Sequence, residues 1–466
     1  MKHLLFFLFL AAISLNAFSQ QVTGQWNGIL KVQGMQLRVV FHVTKSEDGF
    51  AATMDSPDQN AKGIPVTTTS FVDSTLTLTV SNAGIVYEGV VKSDSLIVGN
   101  FKQGGQSFPM NLSRVEQEKE KLTRPQEPKK PYPYYSEEVT FFNSNDEIKL
   151  AGTLTLPKKE GKFPAVVLIS GSGAQNRDEE LMGHKPFLVL SDYLTRQGIA
   201  VLRFDDRGTA SSGGVFGPAT TQDFSTDVEA AVKFLMTRNE IDKKKIGLVG
   251  HSEGGLIAPM VASRSKDIAF IVLLAGTGIR GDELLLLQQQ LIGRASGMSD
   301  SDLKTMQDFN KGAFDVIVNS KDQFELEPEL TTYMKDHLGD LPATMKPAGV
   351  AVDELAKLHT RRFLGSWMQY FLKYDPVPAL LKVTCPVLAI NGAKDLQVPA
   401  KENLAAIESA LRKGGNKNVT TKELPNLNHL FQECTTGSPA EYSTIEQTFS
   451  PIALQEIAFW IQAQVK

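Results

Sequence analysis

Ten residues near the middle of the chain, Ile246-Gly247-Leu248-Val249-Gly250-His251-Ser252-Glu253-Gly254-Gly255, leave little choice of fold. Ile246 to Val249 reads as a short buried strand. Gly250-x-Ser252-x-Gly254 follows, and then an apolar helical run from Leu256 to Val261. Strand, glycine-flanked turn and helix form the context of a nucleophile elbow. So sharp a turn holds Ser252 at strained backbone angles with its hydroxyl outward. Side chains at 250 and 254 would collide with the neighbouring strand and helix.

The remaining bounds are broad. The chain has 466 residues, 42% hydrophobic and 21% charged, with a formal charge of −4. That is globular composition, long enough for two or three domains. No basic stripe is present, so no nucleic-acid partner is expected. Lys2 and His3 precede an apolar run, Leu4 to Leu15, too short to span a bilayer, and Ala17-Phe18-Ser19 is a small-x-small cleavage site. Residues 1–19 therefore read as a signal peptide of an exported protein, periplasmic or secreted. No other stretch suits stable membrane insertion. The cysteines are Cys385 and Cys434. They fall at opposite ends of an expected strand, about 17–20 Å apart, so no disulfide is expected.

Residues 20–114 read as a small all-β barrel or sandwich. Leu37, Val39, Phe41 and Val43 recur at period two, as do Leu76, Leu78 and Val80. A packing role or a homo-oligomer contact is expected of it before ligand binding. Residues 115–135 combine a charge run with Pro125, Pro128, Pro131 and Pro133, the pattern of an exposed linker. From 136 the chain alternates apolar strands with helices, the mark of a mostly parallel sheet covered on both faces. Residues 136–275 and 379–466 carry this α/β pattern. The interval 276–378 breaks it with helical stretches and far exceeds an ordinary crossover, so it reads as a helical cap.

An activated serine needs a base, and the base needs an acid to orient it. In a fold with this elbow the order is Ser, acid, His. Of the seven histidines, His3 and His42 fall in the signal and the β-domain, His251 is beside the serine, His184 precedes it, and His337 and His359 fall in cap helices. His429, in the loop after the last strand, remains. Asp395 follows Gly392 at the end of the preceding strand and is the expected acid, with Glu402 the poorer alternative. The oxyanion donors are expected to be the backbone N–H groups of Glu253 and of Ser172, with Gly173 in reserve. Asp205-Asp206-Arg207-Gly208 reads as a structural turn, and Arg177-Asp178-Glu179 as a solvated charged loop that could reach substrate. No His/Cys spacing implies a metal.

From about 136 onward these motifs resemble the α/β-hydrolase superfamily. More narrowly they resemble bacterial carboxylesterases of the EstD type, which carry a small β-domain ahead of the hydrolase domain. The matching stretches are Ser170-Gly171-Ser172-Gly173 with Arg177-Asp178-Glu179, Arg203-Phe204-Asp205-Asp206-Arg207-Gly208, Gly250-His251-Ser252-Glu253-Gly254-Gly255, Gly392-Ala393-Lys394-Asp395 and Asn428-His429-Leu430-Phe431. The resemblance places the catalytic Ser, Asp and His on Ser252, Asp395 and His429, and implies hydrolysis of small-molecule esters without a cofactor. Thr209-Ala210 depart from it, where relatives usually carry a basic residue and a further glycine. The expected function is a serine carboxylesterase for short-to-medium acyl chains. A prolyl-oligopeptidase-like peptidase, an acyltransferase or a thioesterase would use the same machinery. A non-catalytic binding protein on a retired hydrolase fold is the reading from another class.

Overall fold

The computed structural model describes residues 22–466 apart from 33–34, 48, 104–105, 120–122 and 343–350; the signal-peptide segment lies outside the described residues. The chain divides into two compact units near residue 120.

The first unit holds β1 (Gly24–Val32), β2 (Met35–Ser46), β3 (Gly49–Ser56), β4 (Ala61–Pro65), β5 (Thr68–Val72), β6 (Thr75–Val80), β7 (Ile85–Ser93), β8 (Leu96–Gln103), β9 (Gln106–Pro109) and β10 (Leu112–Ser113). They form one sheet, ordered β4-β3-β2-β1-β10-β8-β7-β6-β5 with β9 on β8, rather than two stacked sheets. Alternation explains its core. In β6 Leu76, Leu78 and Val80 are buried, while Thr75, Thr77 and Thr79 lie half-buried between them. The sheet curls until its ends approach. Val66 N–H donates to Ala52 on β3 (3.1 Å) and Thr67 N–H to Thr79 on β6 (2.6 Å).

The second unit is built on β11 (Tyr135–Asn143), β12 (Ile148–Leu156), β13 (Phe163–Ile169), β14 (Ala200–Phe204), β15 (Ile241–His251), β16 (Phe270–Leu274), β17 (Val387–Gly392) and β18 (Val419–Leu424). Their order is β11-β12-β14-β13-β15-β16-β17-β18. The sheet is mixed: β11, β12 and β14 pair antiparallel, and the run from β14 to β18 is parallel. Continuous apolar strands follow from having two covered faces. In β13, Ala165, Val167 and Ile169 join the core under α2 (Thr221–Thr237), α3 (Glu253–Ala262) and α10 (Ala400–Lys413). Val166 and Leu168 join the opposite core, under α1 (Pro186–Arg196) and α11 (Pro451–Gln464). Each such aliphatic side chain, fully buried, contributes about 1.5–3 kcal/mol relative to exposure.

Between β16 and β17 come α4 (Gly281–Ala295), α5 (Asp300–Asn319), α6 (Gln323–His337), α7 (Val352–Phe363), α8 (Ser366–Lys373) and α9 (Val377–Leu380). Side chains near two N-termini stop fraying. Ser299 accepts the Asp302 N–H and Asp322 accepts the Phe324 N–H. Phe309, Phe314, Ile317, Leu330 and Met334 give these helices a core of their own.

The segment read as an exposed linker is partly docked. The Arg124 guanidinium donates to the carbonyls of Gly183 (3.0 Å), Ile445 (3.0 Å) and Ser443 (2.7 Å). Gln126 accepts the N–H groups of Thr448 (2.6 Å) and Phe449 (3.0 Å). Loop carbonyls that sequence leaves unpartnered are what hold this stretch down. Both cysteines are free thiols.

Candidate active site

β15 runs into α3 through Ser252, whose φ of 53° and ψ of −114° lie where non-glycine residues cost about 1–3 kcal/mol. Its N–H donates to Leu274 on β16 (2.9 Å). The glycines are needed for space. A Cβ on Gly250 would stand 2.0 Å from the Gly254 carbonyl oxygen, and one on Gly254 would stand 2.1 Å from that of Ile169. The turn therefore closes only without side chains on either flank.

Asp395 sits beyond β17. Gly392 lets the strand end pass the loop after β18, since a Cβ there would meet the Leu427 carbonyl at 2.2 Å. Asp395 Oδ1 accepts the N–H groups of Gln397 (2.8 Å) and Val398 (2.9 Å). Its Oδ2 lies 2.8 Å from His429 Nδ1. A carboxylate only accepts, so Nδ1 carries the proton and Nε2 keeps its lone pair. Asp395 and His429 are both buried, at 3% and 4% exposure. The structure thus joins Asp395 to His429. Among the described residues it shows no hydrogen bond from the Ser252 hydroxyl to the His429 ring. Glu402 lies on α10 and takes no part.

The loop after β13 lies against the serine: a Cβ on Gly171 would be 3.2 Å from Ser252 Cβ. Gly171 N–H donates to Glu179 Oε1 (2.7 Å). The N–H groups of Ser172 and Glu253 have no hydrogen-bond partner among the described residues. Ser170 Oγ and Gln175 N–H donate to the two oxygens of Asp206 (2.8 and 2.9 Å), which fix the loop from behind. Desolvation pushes the Asp206 carboxyl up to about 8. The Glu253 side chain is turned inward, accepting from Thr221 Oγ1 (2.6 Å) and from Trp367 Nε1 on α8 (2.8 Å). Burial raises its pKa. Above it, Leu256, Leu284, Phe371 and Val398 form a small apolar cluster, with Trp367 stacked on Phe371 at 5.0 Å.

The charged loop expected to be solvated is instead largely paired, with Glu179 buried and Arg177 and Asp178 half-buried. Arg177 pairs with Asp205 (2.7 Å) and also reaches Glu138. Arg203 pairs with Asp178 (2.9 Å) and Arg207 with Asp227 (2.8 Å). Glu179 meets His251 Nδ1 at 2.9 Å, and His251 Nε2 lies 2.9 Å from the His429 carbonyl oxygen. The Arg177 guanidinium is thus committed to Asp205 and Glu138. His251, beside the serine, is not singled out by the sequence; the available signal is a histidine ending a buried strand, which must find two partners. Ala210 keeps a φ of 46°. Among the described residues no cluster of three or more His, Cys, Asp or Glu could hold a metal, and no helix is long and apolar enough to cross a membrane.

Residues 146–422 match the X-Pro dipeptidyl-peptidase (S15) family. The chain belongs to that family. The S15 match takes in Ser252 and Asp395 and stops short of His429. The chain is similar to esterase EstD of Thermotoga maritima, 26% identical over 316 residues, covering 67% of this chain and 65% of EstD. The chain therefore spans just under two thirds of that relative's length. A shorter similarity is to human acyl-coenzyme A thioesterase 1, 26% identical over 130 residues, covering 28% of this chain and 27% of the thioesterase. Among solved structures, the Pyrococcus furiosus esterase Pf2001 aligns with a TM-score of 0.43 at 17% identity, over 75% of this chain and 100% of its own.

Proposed function

We propose that the protein is a serine carboxylesterase acting on short-to-medium-chain esters through an acyl-enzyme. The observation that carries this reading is the arrangement at the carboxyl ends of the parallel strands. Ser252 stands on a strained turn beside a loop with an unpaired N–H, and Asp395 already holds His429 in the tautomer of a base. In the reaction, His429 Nε2 takes the Ser252 proton as Oγ attacks the ester carbonyl. The N–H groups of Ser172 and Glu253 receive the developing oxyanion. The protonated His429 then gives its proton to the departing alkoxide, and water releases the acid by the reverse sequence.

The S15 match favours a second reading, cleavage of X-Pro dipeptides from a free amino terminus. Holding an ammonium near Ser252 takes a carboxylate with a free face. Glu179 and Glu253 are each only 3% exposed, so neither carboxylate presents a free face, and one oxygen of each is held, by His251 and Gly171 and by Thr221 and Trp367. The wall formed by Leu256, Leu284, Phe371 and Val398 suits an acyl chain better, at about 0.8 kcal/mol per buried methylene. The test compares kcat/KM on p-nitrophenyl esters of about two to ten acyl carbons with that on an Ala-Pro anilide. The esters should win, with the best value at short to medium chains. A higher value for the anilide would establish the peptidase, and a maximum at the longest chains a lipase-like pocket.

A further inference from the structure

We infer that Glu179 and His251 are positioning residues, a buried carboxylate–imidazolium strut that ties the oxyanion loop to the backbone of His429. This rests on the reading of Ser252 and His429 as nucleophile and base. The argument is a proton count. His251 Nε2 lies 2.9 Å from the His429 carbonyl, which can only accept, so Nε2 carries a hydrogen. Nδ1 lies 2.9 Å from Glu179 Oε1, and that oxygen already accepts the Gly171 N–H at 2.7 Å. A neutral ring would present a lone pair to a carboxylate. A further hydrogen between Nδ1 and Oε1 removes the conflict, and on the imidazole, the more basic of the two groups, it makes His251 an imidazolium.

The surroundings fit this state. Burial alone would push His251 down, but the Glu179 charge and hydrogen bond outweigh it and its pKa is raised. The groups that face the ring are Glu179 from the loop after β13, Asp395 from the loop after β17 through its field, and the His429 ring at a centroid distance of 4.8 Å. Phe431, at 6.4 Å, closes the remaining side without charge. Glu179 and His251 are 3% and 6% exposed, so water does not compete for these bonds. One carboxyl oxygen thus fixes Gly171, next to the Ser172 donor, and through the ring fixes the residue that bears the base. The two halves of the site share one support.

Glu179→Gln keeps the shape and removes the charge, and the desolvated ring then loses its second proton. If the new amide oxygen stays with Gly171 and Nδ1, Nε2 has no hydrogen left for the His429 carbonyl. If the amide NH2 turns to Nδ1 instead, Gly171 loses its acceptor. The expected result is a kcat lower by about ten- to a hundredfold, with KM within about threefold, because misplacement by a fraction of an ångström acts on the transition state. The ratio of variant to wild-type kcat should rise as pH is lowered from about 8 to about 5.5, since protonating His251 restores both donors. His251→Asn should show a similar loss of kcat with no recovery in acid. In the wild-type protein, nitrogen-resolved imidazole NMR should show a ring still doubly protonated at about pH 8. No such ring, a wild-type kcat in Glu179→Gln, or a loss confined to KM would each overturn the strut. Fluorophosphonate labelling of wild type separates the two ideas. An unlabelled Ser252 would refute the proposed reaction and leave the NMR requirement standing.

Discussion

Asp395→Asn exchanges one oxygen for an NH2 group at a position where the protein has already decided which way the amide must face. Asp395 Oδ1 takes two backbone donors, Gln397 and Val398, and Oδ2 takes one, His429 Nδ1. If the amide NH2 turned toward the backbone pair, two buried N–H groups would lose their acceptor, at about 1–3 kcal/mol each. If it turns toward His429, the single conflict is relieved by moving the ring proton from Nδ1 to Nε2. The second arrangement is favoured by roughly 2–6 kcal/mol before relaxation. The base is then aimed at Ser252 with a hydrogen in place of a lone pair. Turnover should fall by about 10⁴-fold, or about 5.5 kcal/mol of transition-state stabilisation. Stability should fall by no more than about 2 kcal/mol, because every buried partner stays paired. The assay is kcat on a p-nitrophenyl ester beside a denaturant melt of the same preparation. A folded Asp395→Asn protein within tenfold of wild type would show that ring orientation is not what activates the serine.

Two further perturbations test separate links of the argument. Ser252→Ala should lose several orders of magnitude in turnover with an unchanged melting temperature; wild-type-like activity in that folded variant would remove Ser252 from the chemistry. His184 is buried against Thr448 and the Tyr442 carbonyl, and desolvation pushes it down to about 4. Its folded pKa lies below the unfolded value of about 6.5, so its contribution is fully present above about pH 6.5 and is lost as pH falls toward 4. That window carries about 3 kcal/mol, and His184→Gln should remove it from a comparison of unfolding at pH 7 and pH 4. An equal pH slope in the variant would refute the linkage.

The elements that could be read from the chain are those whose signal is local. β15 and α3 contain the strand Ile246 to Val249 and the helical run Leu256 to Val261 that apolar patterning places there. The elbow is legible because two glycines and a serine at fixed spacing have few other uses between a strand and a helix. Three features were not legible, each because the deciding partner is distant. How the β1–β10 sheet closes is set by Val66 and Thr67 reaching β3 and β6, which period-two alternation does not specify. Arg124 and Gln126 look solvated until the carbonyls and amides near 443–449 are brought beside them. Arg177, Asp178 and Glu179 look like any charged loop, since burial of charge depends on a counter-charge whose position only the fold supplies.

Those buried ion pairs bear on how such a chain can drift over evolutionary time. Arg177 with Asp205, Arg203 with Asp178 and Arg207 with Asp227 each join positions about twenty to thirty residues apart. Truncating one member strands a desolvated charge at about 3–5 kcal/mol, against a total stability of about 5–15 kcal/mol for a typical fold. A lone substitution consumes a large part of that margin, most of all in the fully buried Arg207–Asp227 pair, whereas exchanging both members for apolar residues of similar volume is close to neutral. Divergence at these six positions should therefore proceed in couples, through short-lived single-change intermediates that only an already overstable background can survive.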